Sequence, residues 1–481
     1  MLETSNSVAT QVGDAKAAKI LLAPVPRYLI FTLLIAGLVV NAAIVLVALP
    51  RTGGVIPDAP RNLAYSLQFG DLYDSIAKNL AQGHGYRVEP YMGETILREP
   101  GYPLLIAAMY RVGGYGNQVP RLACILLAFG AALILVRLTR KITGDSTIAL
   151  IAALLFLLYP ATLVAEARAG NDIPCVFTML LFMSGLYWAV ERGSLWLYGV
   201  AGLLLGLAAL VRSEVLLFPL FVFVYWLFTS RGWGARGKAV LRAVALMAGT
   251  LAAMSPWIIR NYLLAHEFVA TDTLGGVAEQ EGVFTCEHLS QYDGFYAAQR
   301  GAGRERAEIA RQLGLQFEGS YYYQFFYNAQ DEIEFNHALQ KHVAEIYVSH
   351  PGTLVGCSTE NLFYKFWFLG KTHEATHVNM LVQLPLLAIA FGGVIVLCAL
   401  GLLRKAAIML LYIAYIPIIH APIIAHARHS TLVVAFLAVP AAVFLAWAWH
   451  VLRTQHSWMR RLSRTGSRES WVVTDTENPR E

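Results

Sequence analysis

Ionisable side chains gather in a few short segments of this chain, each next to an apolar stretch. Carboxylates can take a proton from a hydroxyl or an amine, and arginines can bind an anionic group in two places at once. Charges at the ends of membrane helices are costly to bury unless they pair or face a polar cavity, so we expect a shared cleft rather than scattered loop charges. The candidate residues are Asp71, Asp74, Arg98, Glu99, Arg168, Asp172, Arg212, Glu214, Arg428 and His429.

Two of these acids stand next to an amphipathic helix predicted from about residue 73 to Gly83. Tyr73, Ile76 and Leu80 recur at helical spacing, and Gly83 ends the pattern. Asp71 is then either the N-cap or first turn of this helix or a reactive carboxylate at its start, whereas Asp74 has the place of a solvated helical residue.

The elements that position these residues are membrane helices. Of the 481 residues, 57% are hydrophobic and 14% are charged, and the mean hydropathy is +0.51. This is more apolar surface than a soluble domain can cover, so we predict an all-α polytopic membrane protein. Its ten spans are predicted near 28–49, 119–137, 148–165, 172–190, 196–211, 215–229, 239–257, 380–403, 406–421 and 431–449. The apolar stretch 103–110 is too short to span and is predicted as an interfacial or re-entrant helix.

Lysine and arginine flank alternate spans, which predicts that both termini face the cytoplasm of an inner-membrane protein. Two large segments, 50–119 and 258–379, then lie on the outer side. The predicted division is a cytoplasmic segment 1–27, a transmembrane module 28–257 that contains outer loop 50–119, an outer subdomain 258–379, C-terminal helices 380–450 and a basic cytoplasmic tail 451–481.

A series of short motifs in a fixed order resembles the GT-C class of polytopic glycosyltransferases. The chain resembles in particular the bacterial branch related to the dolichyl-phosphate-mannose protein mannosyltransferases and the lipid A aminoarabinose transferases. This resemblance covers nearly the whole spanning region. The motifs are Tyr73-Asp74-Ser75-Ile76-Ala77-Lys78-Asn79-Leu80 with Gly83 and Gly85, Arg98-Glu99-Pro100-Gly101-Tyr102-Pro103, Leu210-Val211-Arg212-Ser213-Glu214, Pro256-Trp257-Ile258-Ile259-Arg260-Asn261-Tyr262, His350-Pro351-Gly352 and Arg428-His429.

The sequence departs from the family pattern at two places. The family often has an acidic residue four positions before the tyrosine, where this chain has Phe69. Asp71 is the nearest substitute, and Asp74 comes next. His429 stands where the family usually has tyrosine.

The resemblance implies transfer of a hexosyl or pentosyl group from a polyprenyl-phosphate carrier to a lipid, polysaccharide or protein on the outer face. Asp71, or else Asp74, would be the general base, and arginines would stabilise the leaving phosphate. Arg212, Arg260 and Arg428 are the first candidates for the phosphate, followed by Arg98; their other possible role is to reach lipid headgroups. Tyr73, Glu99, Asp172, Glu214 and His429 complete the predicted substrate-binding set.

No cofactor is required by this chemistry, and no glycine-rich nucleotide-binding loop is found. His84, Asp71 and Glu99 are compatible with a divalent metal but lack a recognised metal-binding spacing. Cys286 and Cys357 both fall in the outer subdomain and can form one disulfide if that compartment is oxidising.

The outer subdomain also holds features predicted to recognise an acceptor or the membrane. The aromatic run 321–327 suits either an aromatic belt at the headgroups or stacking on sugar rings. Residues 336–347 are predicted to form a helix on the membrane surface.

Two other functions fit the same composition. A transporter or flippase of a lipid-linked saccharide would usually show two related halves and charges near mid-span, which we do not find. A non-catalytic partner in envelope assembly would tolerate loss of Asp71. No feature indicates nucleic-acid binding.

Overall fold

A computed structural model describes residues 26–48, 72–116, 118–319 and 324–466, and this part of the chain is mostly helical. We number the elements in chain order. The helices are α1 (Arg27–Ala43, continued by the π-helical turn Ile44–Ala48), α2 (Tyr73–Gln82), α3 (Gly101–Gly113), α4 (Gln118–Thr143), α5 (Ser146–Leu158), α6 (Pro160–Arg168), α7 (Asp172–Arg192), α8 (Leu195–Ala209), α9 (Phe218–Thr229), α10 (Trp233–Ala265), α11 (Gly275–His288), α12 (Phe295–Gln312), α13 (Ala329–Ser349), α14 (Pro351–Glu360), α15 (Phe366–Phe368), α16 (His373–Ala399), α17 (Leu403–His420) and α18 (Thr431–Gly466); strands β1 (Phe317–Gly319) and β2 (Gln324–Phe326) follow α12.

The predicted all-α membrane architecture is confirmed. Among the described residues, seven helices are long and apolar enough to cross a membrane, and the bent pair of α5 and α6 makes an eighth. The remaining two predicted spans are shorter apolar helices, α8 and the segment Ser213–Thr229. With 15 residues, α8 is about 22 Å long at 1.5 Å per residue, which is less than the roughly 30 Å of a bilayer core.

The short α8 is held by close glycine contacts with α10. A Cβ atom on Gly202 would lie 2.0 Å from the carbonyl oxygen of Leu246, and one on Gly249 would lie 2.0 Å from that of Gly199. Small residues let two membrane helices approach until their backbones touch, and this contact replaces the hydrophobic attraction that lipid cannot supply. The end of α8 is thereby fixed before the chain turns at Arg212.

The third predicted span is bent instead of straight. The two helices meet at 48°, where Tyr159 is extended and Pro160 begins α6. Proline disfavours a helical conformation in the residue before it, which explains the break. The short α6 then ends at Ala169, whose φ is 52°, and the chain turns sharply into α7.

The end of α1 is fastened to this bent pair. The Asn41 side chain donates to the carbonyl oxygen of Leu157 at 2.8 Å and to Glu166 Oε1 at 3.1 Å. Asn41 and Glu166 are completely buried, so these hydrogen bonds lie away from lipid. A Cβ on Gly37 would lie 2.8 Å from a methyl group of Leu154. Helix α1 therefore contacts α5 and α6 closely over its second half.

Two short helices, α2 and α3, form the first polar segment. Helix α2 follows Leu72 and ends at Gly83, whose φ of 83° is the left-handed conformation expected of a glycine cap. Asp71 lies outside the described residues. Helix α3 contains the predicted short helix 103–110 and packs on α2, where the Tyr110 hydroxyl donates to Asp74.

The second polar segment contains helices α11 to α15 and a small antiparallel hairpin in which Phe317 is opposite Phe326. Cys286 of α11 and Cys357 of α14 are joined by a disulfide, the pairing that the sequence allowed. The predicted helix 336–347 lies within α13, which is capped by the Asn328 side chain accepting from the Asp331 amide at 2.8 Å. Of the predicted aromatic run, residues 321–323 lie outside the described residues.

The glycine contact between α8 and α10 can be tested by Gly249→Ala. The new methyl group would meet the Gly199 carbonyl, and such overpacking typically costs about 1–3 kcal/mol. We expect a lower melting temperature of the purified protein in detergent. Gly237→Ala is the matched control, because Gly237 lies in the same helix with no atom within 4 Å of its added Cβ; there, alanine should be neutral or stabilising by up to about 1 kcal/mol. Equal melting temperatures for the two variants would contradict the proposed packing.

Candidate active site

A fully buried carboxylate, Asp172, lies at the start of α7 and is shared by two arginines. The Arg212 guanidinium forms an ion pair with it from the turn after α8. Arg428 Nε reaches it from the loop before α18, 3.0 Å from Oδ2 and 3.3 Å from Oδ1. These three residues were predicted separately from the sequence, and the structure brings them into one cluster.

The cluster continues through Glu214 to the end of α17. Arg212 Nε lies 3.0 Å from both carboxylate oxygens of Glu214, and His420 Nε2 lies 3.8 Å from Glu214 Oε1. Two arginines thus face two carboxylates, so the formal charges of Asp172, Glu214, Arg212 and Arg428 cancel. This balance is what allows four ionised groups to be largely withdrawn from water.

A second carboxyl group, Glu99, lies at the start of α3 and is bound from two sides. The Tyr73 hydroxyl donates to Glu99 Oε2 at 3.1 Å, and the Ser213 amide donates to Oε1 at 2.9 Å. The Asn171 side chain in turn donates to the Tyr73 hydroxyl at 2.8 Å. Since Asn171 and Ser213 are sequence neighbours of Asp172 and Arg212, the two clusters share one backbone framework.

Backbone contacts hold the three loops of this framework together. The Gly101 amide donates to the carbonyl oxygen of Leu210 at 2.7 Å, and a Cβ on Gly101 would lie 2.8 Å from that oxygen. The Tyr102 hydroxyl donates to the carbonyl oxygen of Ala169 at 2.7 Å. Glycine at position 101 is therefore required for the loop before α3 to reach the end of α8.

Burial raises the pKa of the Glu99 carboxyl to about 7, and the negative charges of Asp272 and Glu214 add to this effect. Arg98 and the hydrogen bond from the Ser213 amide oppose it. Burial also raises the pKa of Asp272. Glu99 therefore exchanges its proton near neutral pH, which is the range in which an acid or base is most useful to an enzyme.

Three imidazole rings line one side of the arginine cluster. The ring of His429 lies between those of His420 and His426, with 4.3 Å between ring centroids on each side. Burial lowers the pKa of both His426 and His429, and the positive charge of Arg428 acts in the same direction. Both rings are thus neutral at neutral pH. Within the described part of the chain, His429 Nδ1 is buried without a hydrogen-bond partner.

Other predicted residues lie elsewhere. Asp74 is buried rather than solvated; it pairs with Lys78 at 2.6 Å and accepts from Tyr110, so the prediction of a solvated residue was wrong. Arg260 does not join the Asp172 cluster. Its guanidinium donates to the Thr95 carbonyl at 2.8 Å and pairs with Glu94 at 3.2 Å.

The guanidinium of Arg98, in contrast, lies inside the framework, 5.1 Å from the centre of the Tyr73 ring. Among the described residues, no group of three or more His, Cys, Asp or Glu side chains is arranged to hold a metal ion.

Comparison with known proteins identifies part of this region. Residues 98–259 match the dolichyl-phosphate-mannose-protein mannosyltransferase family. That range contains Glu99, Asp172, Arg212 and Glu214, whereas Tyr73 and Arg428 lie outside it. None of the curated proteins matches the sequence.

Two solved structures share the arrangement of helices over most of the chain. The archaeal oligosaccharyltransferase AglB from Archaeoglobus fulgidus, in complex with an inhibitory peptide and a dolichol-phosphate, aligns with a TM-score of 0.51 and 15% identity, over 90% of this chain and 52% of its own. The same organism's oligosaccharyltransferase, tethered to an acceptor peptide, aligns with a TM-score of 0.50 and 16% identity, over 89% of this chain and 50% of its own. A third structure, ArnT from Cupriavidus metallidurans bound to undecaprenyl phosphate, aligns with a TM-score of 0.34 and 14% identity, over 85% of this chain and 77% of its own.

Over residues 98–259 the chain is similar to the protein mannosyltransferases, and its fold is similar to that of the two oligosaccharyltransferases. The predicted resemblance to this class is thereby confirmed. The chain spans about half the length of the two oligosaccharyltransferases. The Asp172 cluster lies where the ends of the helices meet the polar segments.

Several residues of this site were not predicted from the sequence. Asn171 and Ser213 adjoin predicted residues but carry no charge, so nothing marked them. Asp272 approaches Glu99 from a loop distant in sequence, and only the fold brings these two together. His426 lies three residues before His429 in the same loop. A search for polar residues next to each predicted charge would have found the first two.

Titration of Glu99 gives a pH prediction. A raised pKa means that the ionised form is disfavoured in the folded protein, so stability should fall as pH rises from about 4.5, the ordinary value, to about 7. Glu99→Gln cannot ionise. Between about pH 4.5 and pH 7 we expect the native protein to lose up to about 3 kcal/mol of unfolding free energy relative to this variant. The variant is therefore favoured at the high-pH end. A difference independent of pH in thermal melts would contradict the raised pKa.

Proposed function

We propose that the chain is a membrane glycosyltransferase that takes a sugar from a polyprenyl-phosphate carrier. The sugar would pass to a hydroxyl or amine on a lipid, polysaccharide or protein of the cell envelope. The observation that carries this proposal is the group of Glu99, Asp172, Arg212 and Arg428, assembled at one end of the helices of a GT-C fold. An enzyme of this kind needs a base and an anion-binding cation in one place.

The general base in this proposal is Asp71. It precedes Leu72 and Tyr73 in the sequence, and the Tyr73 hydroxyl contacts both Glu99 and Asn171. The beginning of α2 is therefore inside the cluster. Asp74 is the weaker candidate because Lys78 and Tyr110 already occupy its carboxylate.

The reaction would proceed by displacement at the anomeric carbon. The acceptor oxygen or nitrogen forms the new bond as its proton moves to Asp71, and the bond between the anomeric carbon and the phosphate oxygen breaks. The electron pair stays on the lipid phosphate, whose negative charge requires a cation. Attack opposite to the leaving group gives inversion.

Arg428 is the best candidate for that cation. Its side chain is 16% exposed, against 7% for Arg212, and Arg212 is committed to two carboxylates. Arg98 is second because it lies beside Tyr73. Arg212 then has a positioning role, since it holds Asp172 in place for Arg428. Arg260 fastens residues 94 and 95 and is the weakest of the predicted phosphate ligands.

The proposed orientation places this cluster on the outer face of the inner membrane. Basic residues such as Arg137, Arg140, Arg404 and Lys405 lie at the other end of the helices, as the positive-inside pattern requires. The disulfide between Cys286 and Cys357 fits an oxidising compartment on the side of the cluster. Both termini would then be cytoplasmic, and segment 258–379 would face the acceptor.

The base is tested by comparing Asp71→Asn with Asp74→Asn in cells that lack the natural gene. We expect Asp71→Asn to lower transfer by about 10²–10⁴-fold, since it removes a proton acceptor, while protein level is unchanged. Asp74→Asn should retain transfer and lose stability. Both variants are checked by mass spectrometry of envelope glycolipids, in which loss of transfer appears as accumulation of the polyprenyl-phosphate sugar. Full transfer by Asp71→Asn would exclude it as the base and leave room for a non-catalytic role.

The cation is tested by comparing Arg428→Ala with Arg212→Ala. A hydrogen bond to a charged group contributes about 1.5–3 kcal/mol. We therefore expect Arg428→Ala, which removes such a bond to the phosphate, to bind polyprenyl phosphate at least tenfold more weakly. Arg212→Ala should instead lower stability by about 3–5 kcal/mol because it leaves buried carboxylates without a partner. Binding by native mass spectrometry and melting temperature separate the two effects. Unchanged affinity in Arg428→Ala would remove Arg428 from the phosphate site.

A further inference from the structure

An apolar groove separates α1 from α4 at the end of the bundle opposite the Asp172 cluster. It has a volume of about 370 Å³, within the roughly 300–1,000 Å³ usual for small-ligand sites. Phe31 and Leu34 line it from α1, and Leu133 and Val136 line it from α4, while Arg137 and Arg140 form its rim. Neither helix fills this space with its own side chains.

The groove arises from the way α1 is attached. Asn41 and Gly37 bring the second half of α1 against α5 and α6. The first half, which begins at Arg27, is not held in this manner, and it leaves a gap beside α4. Phe31 remains 59% exposed and Leu133 38% exposed, whereas Leu34 at the bottom is buried. The groove is thus open to the surroundings along one side and closed at its floor.

The rim of the groove carries positive charge near the end of the membrane-spanning helix α4. Arg137 and Arg140 are three residues apart on one face of α4, both are exposed, and they stand just before the end of that helix. Within the described part of the chain, no carboxylate lies within ion-pair distance of either guanidinium, although Lys141 next to them pairs with Glu191. The two arginines are available to an external anion.

We propose that this groove binds an anionic glycerophospholipid. An acyl chain would lie along Phe31, Leu34, Leu133 and Val136, and the headgroup phosphate would bind Arg137 and Arg140. Basic pockets between membrane helices are suited to such headgroups, because each arginine adds attraction that falls off within a Debye length. Such a lipid matches the groove at both ends, because its acyl chain suits the apolar interior and its anionic phosphate suits the cationic rim.

This lipid is distinct from the proposed sugar donor. Cys124, whose thiol lies 3.8 Å from the Gly170 carbonyl beside Asp172, is thirteen residues before Arg137 on the same helix, a separation of about 20 Å. The groove therefore lies near the other surface of the membrane. The bound lipid would hold the first half of α1 against α4. In the sequence, α1 is followed by the segment that contains Asp71.

The test uses the full-length protein, purified in detergent and stripped of lipid, and measures binding of phosphatidylglycerol and phosphatidylcholine by native mass spectrometry. We expect a preference for phosphatidylglycerol that is at least tenfold weaker in Arg137→Ala/Arg140→Ala. The matched control, Arg236→Ala/Lys238→Ala, removes the same charge from the first turns of α10 and should bind as the native protein does. Leu133→Trp, which fills the groove and keeps the charge, should also lose binding.

Four results would overturn the proposal. Equal binding of the two lipids, or an equal loss in the control, would show a non-specific interface. Displacement of phosphatidylglycerol by polyprenyl phosphate at equal concentration would assign the groove to the carrier lipid. Binding that appears only after deletion of residues 2–24 would show that the chain's own N-terminal segment covers it. Circular dichroism and the melting temperature confirm that each variant is folded before its binding is compared.

Discussion

Asp172 is completely buried at the start of α7, and two guanidinium groups reach it from distant parts of the chain. A single carboxylate in this place would be too costly to keep ionised, and a single arginine would be equally costly without it. The pairing therefore imposes a geometric condition. The loop after α6, the turn after α8 and the loop before α18 must all end within a few ångströms of each other, and the close contacts of Gly202, Gly249 and Gly101 make this possible.

The same condition shapes the electrostatics around the cluster. The pKa of Glu99 is raised first by burial and then by the carboxylates of Asp272 and Glu214, while Arg98 and the Ser213 amide oppose this shift. Burial lowers the pKa of His426 and His429, and the positive charge of Arg428 adds to this effect, so both rings are neutral at neutral pH. A phosphate arriving at Arg428 would compete with Asp172 for one guanidinium. Leaving-group binding and the internal ion pair are thus linked.

The sequence was most informative where a signal is local. Hydropathy located all ten helical segments, and Gly83 marked the end of α2, because both depend on neighbouring residues. The break at Pro160 was also encoded locally, yet span 148–165 was predicted as one helix, since its apolar composition outweighed a single proline. The lengths of α8 and α9 follow from the way they pack, which hydropathy does not report.

The site was predicted in part for the same reason. Charged residues next to spans are conspicuous, so Asp172, Arg212, Glu214 and Arg428 were all found. The pairings among them were not predicted, because the pairing of Arg212 with Asp172 joins residues forty positions apart and depends on the bend before α7. Asp74 was misjudged because the acid is buried by Tyr110 of α3, a contact between two helices that no spacing within α2 can show.

Segment 94–99 connects this cluster to the second polar segment. Arg260 of α10 binds Glu94 and the Thr95 carbonyl, and Glu332 of α13 accepts from the Thr95 hydroxyl at 2.5 Å and the Ile96 amide at 2.8 Å. Three residues later the chain places Glu99 against Tyr73 and Ser213. A shift of α13 would therefore be transmitted along an extended segment to a carboxyl group at the centre of the site. Since α13 lies in the segment proposed to face the acceptor, its contact with Thr95 provides a route by which acceptor binding could alter the position or the proton of Glu99.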